Sequence, residues 1–151
     1  MPASFKEEVY QACLEFIDTR IAELEHARKE LTEGAENDSK SSAGDKHETA
    51  RAMMQLEHEK ISRQLEEALR QKNELERNAV SDAGGIIHKG SLIETNQGFI
   101  YLSVAIGKIS VNDKMVIALS PASPLGQKLL GIKKGDAVQL NQTTYKILGV
   151  A

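Results

Sequence analysis

The residues with the clearest chemical potential are two acids near the middle of the chain. Asp45 and Glu48 stand three positions apart in Gly-Asp-Lys-His-Glu-Thr-Ala, residues 44–50. If a helix begins at Asp45, both carboxylates lie in its first turn, where the helix dipole stabilises negative charge. There they can form a capping box, in which Asp45 accepts from a backbone N–H and Glu48 reaches back. They can also donate oxygen ligands to a divalent cation.

These two roles do not exclude each other, and capping is the favoured one within the chain. Mg²⁺ takes six ligands and usually keeps several waters, so two carboxylates hold it poorly without further donors. The remaining ligands would have to come from the active site of a partner. Metal binding is therefore expected only in a complex.

Other reactive residue types carry weaker signals. The sequence has four histidines and one cysteine: His26, His47, His58, His88 and Cys13. His26 and His58 fall within predicted helices, and two histidines alone make a poor metal site, so solvated or seam-edge positions are expected. Cys13 is expected to be a small buried hydrophobe, and a single cysteine excludes an intrachain disulfide. The chain has no nucleotide-binding glycine pattern and no nucleophile elbow.

Composition divides the 151 residues near residue 80. Residues 1–80 carry 12 Lys and Arg against 18 Asp and Glu, whereas residues 81–151 carry 7 Lys against 4 acids. Nine of the 11 glycines follow residue 80. We therefore predict two domains, 1–80 and 81–151, joined by a Ser- and Gly-containing linker at 78–85. Aromatic residues are only 4%, which is low for one compact core.

The first domain has the apolar spacing of two helices, at 5–33 and 50–77. Apolar residues recur every seven positions in each: Tyr10, Ile17, Leu24 and Leu31, then Met54, Ile61, Ala68 and Leu75. A second, alternate row completes each seam with Leu14 and Ile21 in the first helix and Leu65 in the second. These alternate rows are interrupted by Arg28, His58 and Lys72. Residues 34–44 are small and polar, which is typical of a connection. The pattern predicts an antiparallel coiled-coil stalk whose tip is residues 44–50. A homodimeric coiled coil is the alternative.

The second domain has the pattern of a small α+β fold. Five segments have strand character: 91–95, 99–104, 115–119, 137–140 and 144–148. Ser123, Pro124 and Gly131 have the order of an N-cap, a first helical residue and a C-terminal glycine, which predicts one short helix. We expect four or five antiparallel strands and this helix.

The sequence gives no indication of a membrane partner and only a weak indication of a nucleic-acid partner. No apolar run approaches the roughly 18 residues of a membrane span, and the first residues lack the order of a signal peptide. A cytoplasmic location is the default expectation. The seven lysines of residues 81–151, without arginine, are expected to form a solvated surface.

Two stretches of the chain carry a family resemblance. Residues 44–50 are similar to Gly-Asp-x-x-Glu-Asn-Ala, and residues 123–131 with 135–138 are similar to Ser-Pro…Leu-(Leu/Ile)-Gly…Gly-Asp-x-Val. Residues 145–148 match the last strand of the same family. The chain thus resembles the Gre-type transcript cleavage factors, the GreA/GreB family of bacterial RNA polymerase secondary-channel proteins. The order of parts agrees along nearly the whole chain.

The resemblance implies a fold, a partner and an activity. The expected fold is a helical hairpin followed by an FKBP-like antiparallel α+β domain, and the expected partner is RNA polymerase. The stalk would enter the secondary channel, where Asp45 and Glu48 would help to hold a second catalytic Mg²⁺ or position the attacking water. The polymerase itself would cut the backtracked RNA 3′ end. The isolated chain would then be no enzyme and would bind neither a cofactor nor a small-molecule substrate.

The tip also departs from the family pattern. Thr49-Ala50-Arg51-Ala52 stands where the family commonly has Asn-Ala-Glu-Tyr or Asn-Ala-Asp-Tyr, so an acid and an aromatic are lost. Lys40, Lys46 and Arg51 are candidate contacts to polymerase acids or RNA phosphate, although solvated positions are favoured for each. Two alternatives therefore stay open. One is a channel regulator without cleavage activity, and the other is a non-transcriptional coiled-coil interaction protein whose tip acids are dispensable.

Overall fold

The chain forms two long helices followed by a six-stranded sheet with a short helix. The computed structural model describes residues 4–41, 45–79 and 85–151, with the side chains of 35–47 left out. In chain order the elements are α1 (Phe5–Ser41), α2 (Asp45–Arg77), β1 (Leu92–Thr95), β2 (Gly98–Leu102), β3 (Gly107–Val111), β4 (Lys114–Leu119), α3 (Pro124–Leu129), β5 (Ala137–Leu140) and β6 (Thr143–Val150). The predicted order of a helical part and an α+β part is confirmed.

The elements belong to two compact units. One unit is Ile17–Arg70, and the other combines Met1–Phe16 with Gln71–Ala151. The first turns of α1 and the last turns of α2 therefore pack in the same unit as the sheet. The composition of the chain changes near residue 80. That the two domains are divided at this residue stays a prediction.

The unit Ile17–Arg70 is an antiparallel pair of helices. Arg20 lies near Glu67, Thr32 near His58 and Gly34 near Met54. The residue number rises along α1 as that of its neighbour on α2 falls, so the two helices are antiparallel. The predicted hairpin is thus confirmed. On α2 the predicted seam residues Ile61, Leu65 and Ala68 are buried, and Ile17 of α1 is buried with no exposed surface.

Helix α1 is longer than the sequence predicts. The expected connection at residues 34–44 is wrong for residues 34–41, which are helical, whereas α2 begins at Asp45, where the two acids predicted a helix start. One glycine, Gly34, costs a helix interior only about 1 kcal/mol relative to alanine, and no proline follows it before α2. At about 1.5 Å per residue α1 is about 55 Å long. Residues 42–44 lie outside the described residues.

The sheet is mixed, and this corrects the expected antiparallel sheet of four or five strands. The strand order is β3-β4-β2-β1-β6-β5, and every neighbouring pair is antiparallel except β2 with β4. The strand that sequence reasoning missed is β3. It forms a hairpin with β4 through Asn112 and Asp113, which both have positive φ, at 54° and 65°. Two such residues between paired strands are typical of a type I′ turn.

Apolar side chains cover both faces of the sheet. On the face toward α3, one cluster of buried residues forms the core: Ile87, Ile93, Ile100, Leu102, Leu129, Val138 and Ile147. Alternation along β2 directs Tyr101 to the opposite face. Burial raises the pKa of Tyr101, and the nearby Cys13 and Tyr10 of α1 add to this effect. The start of α1 therefore packs on that face, and Val9 and Cys13 are fully buried.

Candidate functional site

The two acids of the tip lie at the start of α2. Asp45 is the first residue of the helix, and Glu48 lies in its first turn with an exposed side chain. The backbone therefore places both residues in the turn where helix N–H groups lack intrahelical partners. The side chains of Asp45, Lys40, Lys46 and His47 lie outside the described ones. The capping box and the metal-ligating role both stay predictions.

An exposed cation follows the acids on the same helix. Arg51 lies three residues after Glu48, and its side chain is exposed. Side chains three residues apart on a helix are surface neighbours, with Cβ atoms about 5–6 Å apart. The positive charge therefore lies within one turn of Glu48, and it partly offsets the negative potential of the tip.

The described residues contain no group of three His, Cys, Asp or Glu side chains that could hold a metal ion. His26 lies 3.0 Å from Glu30 through Nε2 and Oε1, and both side chains are largely exposed. His58 instead borders a polar depression of about 460 Å³ together with Arg28 and Thr32. The structure thus leaves these two histidines at solvated positions, as predicted. Within the same residues, no helix is long and apolar enough to cross a membrane.

The second motif of the sequence forms the start of α3. Ser123 is the N-cap, since its Oγ accepts from the Gly126 N–H at 3.1 Å, and Pro124 is the first helical residue. The same hydroxyl donates to the Ser120 carbonyl at 2.6 Å. A Cβ at Gly126 would collide with that carbonyl oxygen and lie 2.9 Å from the Pro121 Cα. The predicted helix and cap are confirmed, and the motif residues here hold a tight backbone turn.

The glycine and acid that follow also form a turn. Gly135 has a φ of 96°, and its N–H donates to the Ile147 carbonyl at 2.9 Å. The Asp136 carboxylate accepts from the Lys133 N–H at 3.4 Å, and both side chains are exposed. This part of the motif therefore stabilises the turn before β5 and holds that turn against β6.

Sequence reasoning missed a groove beside the start of α1. The Phe5 and Phe99 rings pack edge to face with centroids 4.9 Å apart, and the Lys114 ammonium lies 4.8 Å and 5.7 Å from the two centroids. Together with Leu92 and Glu94 they border a groove of about 480 Å³. Phe5 and Phe99 are far apart in sequence, so no local spacing could have indicated it.

A serine and a histidine also meet in a turn that sequence reasoning did not single out. Ser91 Oγ lies 3.1 Å from His88 Nδ1 and accepts from the His88 N–H at 3.0 Å. Ser91 has no exposed surface, so no substrate carbonyl can reach its hydroxyl. The pair stabilises the turn before β1 and does not form a nucleophilic site.

Comparison with known proteins gives one match. No family model and no curated protein matches the chain. Among solved structures the chain is similar to the crystal structure of GreA factor homolog 1 (Gfh1) protein of Thermus thermophilus, with 19% sequence identity and a TM-score of 0.36. The match covers 99% of this chain and 96% of that chain. At this identity and TM-score the likeness gives no argument about function.

Proposed function

We propose that the chain is a bacterial RNA polymerase secondary-channel factor of Gre type that stimulates the polymerase's own cleavage of backtracked RNA. The observation that carries the proposal is the start of α2 at Asp45, with Glu48 in the same first turn, at the end where the antiparallel helices are joined. The motif at residues 44–50 therefore lies at the end of the hairpin that would enter the channel of the polymerase first. A cytoplasmic location follows from the proposed partner.

The proposed mechanism assigns the chain the role of positioning two carboxylates. Long helices give the tip its reach, and the first turn of α2 orients both acids while its dipole favours their charged forms. Asp45 and Glu48 would donate oxygen atoms beside the polymerase's own ligands, or accept a proton from the attacking water. Mg²⁺, when bound there, activates that water and stabilises the charge of the phosphoryl group. Two carboxylates are too few to hold the ion, so the isolated chain would bind no Mg²⁺ and would have no nuclease activity of its own.

The RNA 3′ end would lie near the tip, and three cations are candidates for contacting its phosphates. These are Lys40, Lys46 and Arg51, of which Arg51 has a described and exposed side chain. Exposed ion pairs of this kind contribute about 0–1 kcal/mol each, so the cations would adjust the position of the RNA more than its affinity.

A second candidate is a secondary-channel regulator that does not promote cleavage. The observation that favours it is the exposed Arg51, one turn after Glu48, where the resembled family commonly has an acid. A cation there lowers the local negative potential that attracts a second Mg²⁺. Such a factor would occupy the channel and compete with other ligands of the polymerase.

Cleavage of a stalled, backtracked elongation complex tests the proposal. The cognate RNA polymerase is mixed with wild type, with Asp45→Asn/Glu48→Gln, or with Glu57→Gln/Glu59→Gln as a control. The control removes the same charge from exposed positions about three turns further along α2. We expect wild type and the control to release short 3′ fragments at least tenfold faster than polymerase alone, and the tip variant to lose this acceleration.

Two other outcomes would replace the proposal. If wild type does not accelerate cleavage but competes for the channel, the regulator without cleavage activity is correct. If it neither accelerates cleavage nor competes, both transcriptional functions fail. A coiled-coil interaction protein with dispensable tip acids would then be the function to pursue.

A further inference from the structure

We propose that an apolar strip on α2, formed by Ala52, Met53 and Leu56, docks on an apolar wall of the channel that receives the acidic tip. The inference rests on the proposed function, because it names a second contact made by the same end of the hairpin. It adds an apolar contact to a site so far described only by its charges.

The strip does not serve the seam between the helices. Met53 and Leu56 are each 66% exposed, the highest values among the large hydrophobic side chains of the described residues. They lie three residues apart, so they are neighbours on one face of α2. Met54, between them in sequence, points to α1, since its Cε lies 4.0 Å from the Cβ position of Gly34. The seam is complete without the strip, which leaves two large apolar side chains in water.

The strip lies close to the tip. Leu56 follows Glu48 by eight residues, which is about 12 Å along a helix axis. A protein surface that contacts Glu48 and extends 12 Å along the helix therefore also contacts the strip. The exposed positions that follow the strip carry charges of both signs, with Glu57 and Glu59 beside Lys60. The partner surface that fits is an apolar patch bordered by polar groups.

A second copy of the chain fits the strip less well. Two side chains of this size expose on the order of 200 Å² together. A specific interface buries roughly 800 Å² on each partner. The strip also spans little more than one helical turn, because charged residues follow Leu56, so it cannot form the seam of a further coiled coil. It suits a partner that already holds the tip and needs only one added contact.

The test replaces the strip with polar residues of similar size. Met53→Gln/Leu56→Gln keeps strong helix formers at both positions, so α2 is expected to retain its helicity. The control is Leu69→Gln, which changes another exposed leucine of α2, 49% exposed and 13 residues further from the tip than Leu56. Affinity for the cognate RNA polymerase is measured by competition for the channel. We expect the double variant to bind at least tenfold more weakly, and the control to change affinity less than twofold.

Each result separates the strip from the proposed function. If wild type does not bind the polymerase, the proposed function and this inference both fail. If wild type and the double variant bind equally, the strip is not a contact and the proposed function stands. Light scattering shows whether the strip joins two copies instead. A wild-type dimer that Met53→Gln/Leu56→Gln converts to a monomer would overturn the inference.

Site-specific crosslinking gives a readout that a merely structural role would not change. A photoreactive side chain at position 56 should label a polymerase subunit, and labelling should disappear when unmodified wild-type chain is added as competitor. Labelling of the factor alone would overturn the inference.

Discussion

At the scale of single residues, the surroundings of a helical glycine decide whether it can be replaced. Gly126 is buried in α3, and a Cβ there would overlap the Ser120 carbonyl oxygen and approach Ser123 Oγ to 2.9 Å. Gly34 lies in α1, where the nearest atom to an added Cβ is the flexible end of Met54, 4.0 Å away. One glycine is thus required by packing, and the other only lowers helix stability.

Alanine substitutions should therefore act in opposite directions at these two positions. Gly126→Ala should destabilise the sheet unit by about 1–3 kcal/mol, because the backbone of the turn before α3 cannot move away cheaply. Gly34→Ala should stabilise the helical unit by about 0.5–1 kcal/mol, because alanine loses less backbone entropy. Urea unfolding measures both, with tyrosine fluorescence following the sheet and far-ultraviolet circular dichroism following the helices. A stable Gly126→Ala variant would contradict the close packing at α3.

At the scale of elements, Asp45 at the start of α2 has a predicted structural role and a proposed chemical one. If Asp45 caps the helix as the sequence predicts, Asp45→Ala should lower the stability of the hairpin by about 1 kcal/mol, whereas Asp45→Asn should change it by only a few tenths. Thermal unfolding followed by circular dichroism measures the difference. In the cleavage assay both variants should fail, because neither supplies a carboxylate.

The asparagine variant thus separates the two roles. A factor with Asp45→Asn that keeps wild-type stability and loses cleavage stimulation has lost an oxygen ligand and not a helix cap. If Asp45→Asn unfolds as readily as Asp45→Ala, the charge of Asp45 and its interaction with the helix dipole stabilise the tip instead.

Local sequence patterns predicted most helices and strands correctly, but they did not predict how distant strands pair. The helix at α3 followed from Ser123 and Pro124, because capping is decided within one turn. The strand β3 escaped although Ile109 and Val111 alternate and Asn112-Asp113 follows, because the segment is short and begins with glycine. The parallel pairing of β2 with β4 could not be predicted, since it depends on how the chain crosses between them. For the candidate site, the sequence motif was enough to locate the two acids. The positions of Arg51 and of the apolar strip on the surface of α2 could be stated only once the bounds of that helix were known.

At the scale of the whole molecule, the start of α1 is held by strands that come about a hundred residues later. Phe5 packs against Phe99, and Glu8 accepts from the Asn112 amide at 3.4 Å. Cys13 is buried on α1 close enough to Tyr101 of β2 to affect its pKa. This packing brings two weak acids into an apolar environment, which makes the stability of this unit depend on pH.

The unit should lose stability in alkaline solution. Burial raises the pKa of Cys13 from 9.0 to about 12, and it also raises the pKa of Tyr101 above 10.0. As the pH rises past about 9 the unfolded chain releases these protons first, so the folded state binds more protons and the free energy of unfolding falls with pH. The loss of stability is absent below the pKa values that the two groups have in the unfolded chain. It grows with pH until the pH reaches their pKa values in the folded protein. Urea unfolding under reducing conditions, from pH 7 to about 11, measures the slope.

Two substitutions assign this slope to its groups. Cys13→Ala should reduce the alkaline slope by removing the thiol, and Tyr101→Phe should reduce it further at the upper end of the range, because the ordinary pKa of tyrosine exceeds that of cysteine by about one unit. Each variant is also expected to lower stability at pH 7, through lost packing at a buried position. That loss is a constant offset, so only the change of slope with pH reports the ionisation. An unchanged slope in both variants would show that the thiol and the phenol ionise as freely in the folded protein as in the unfolded chain, and that the start of α1 does not seal this face of the sheet from water.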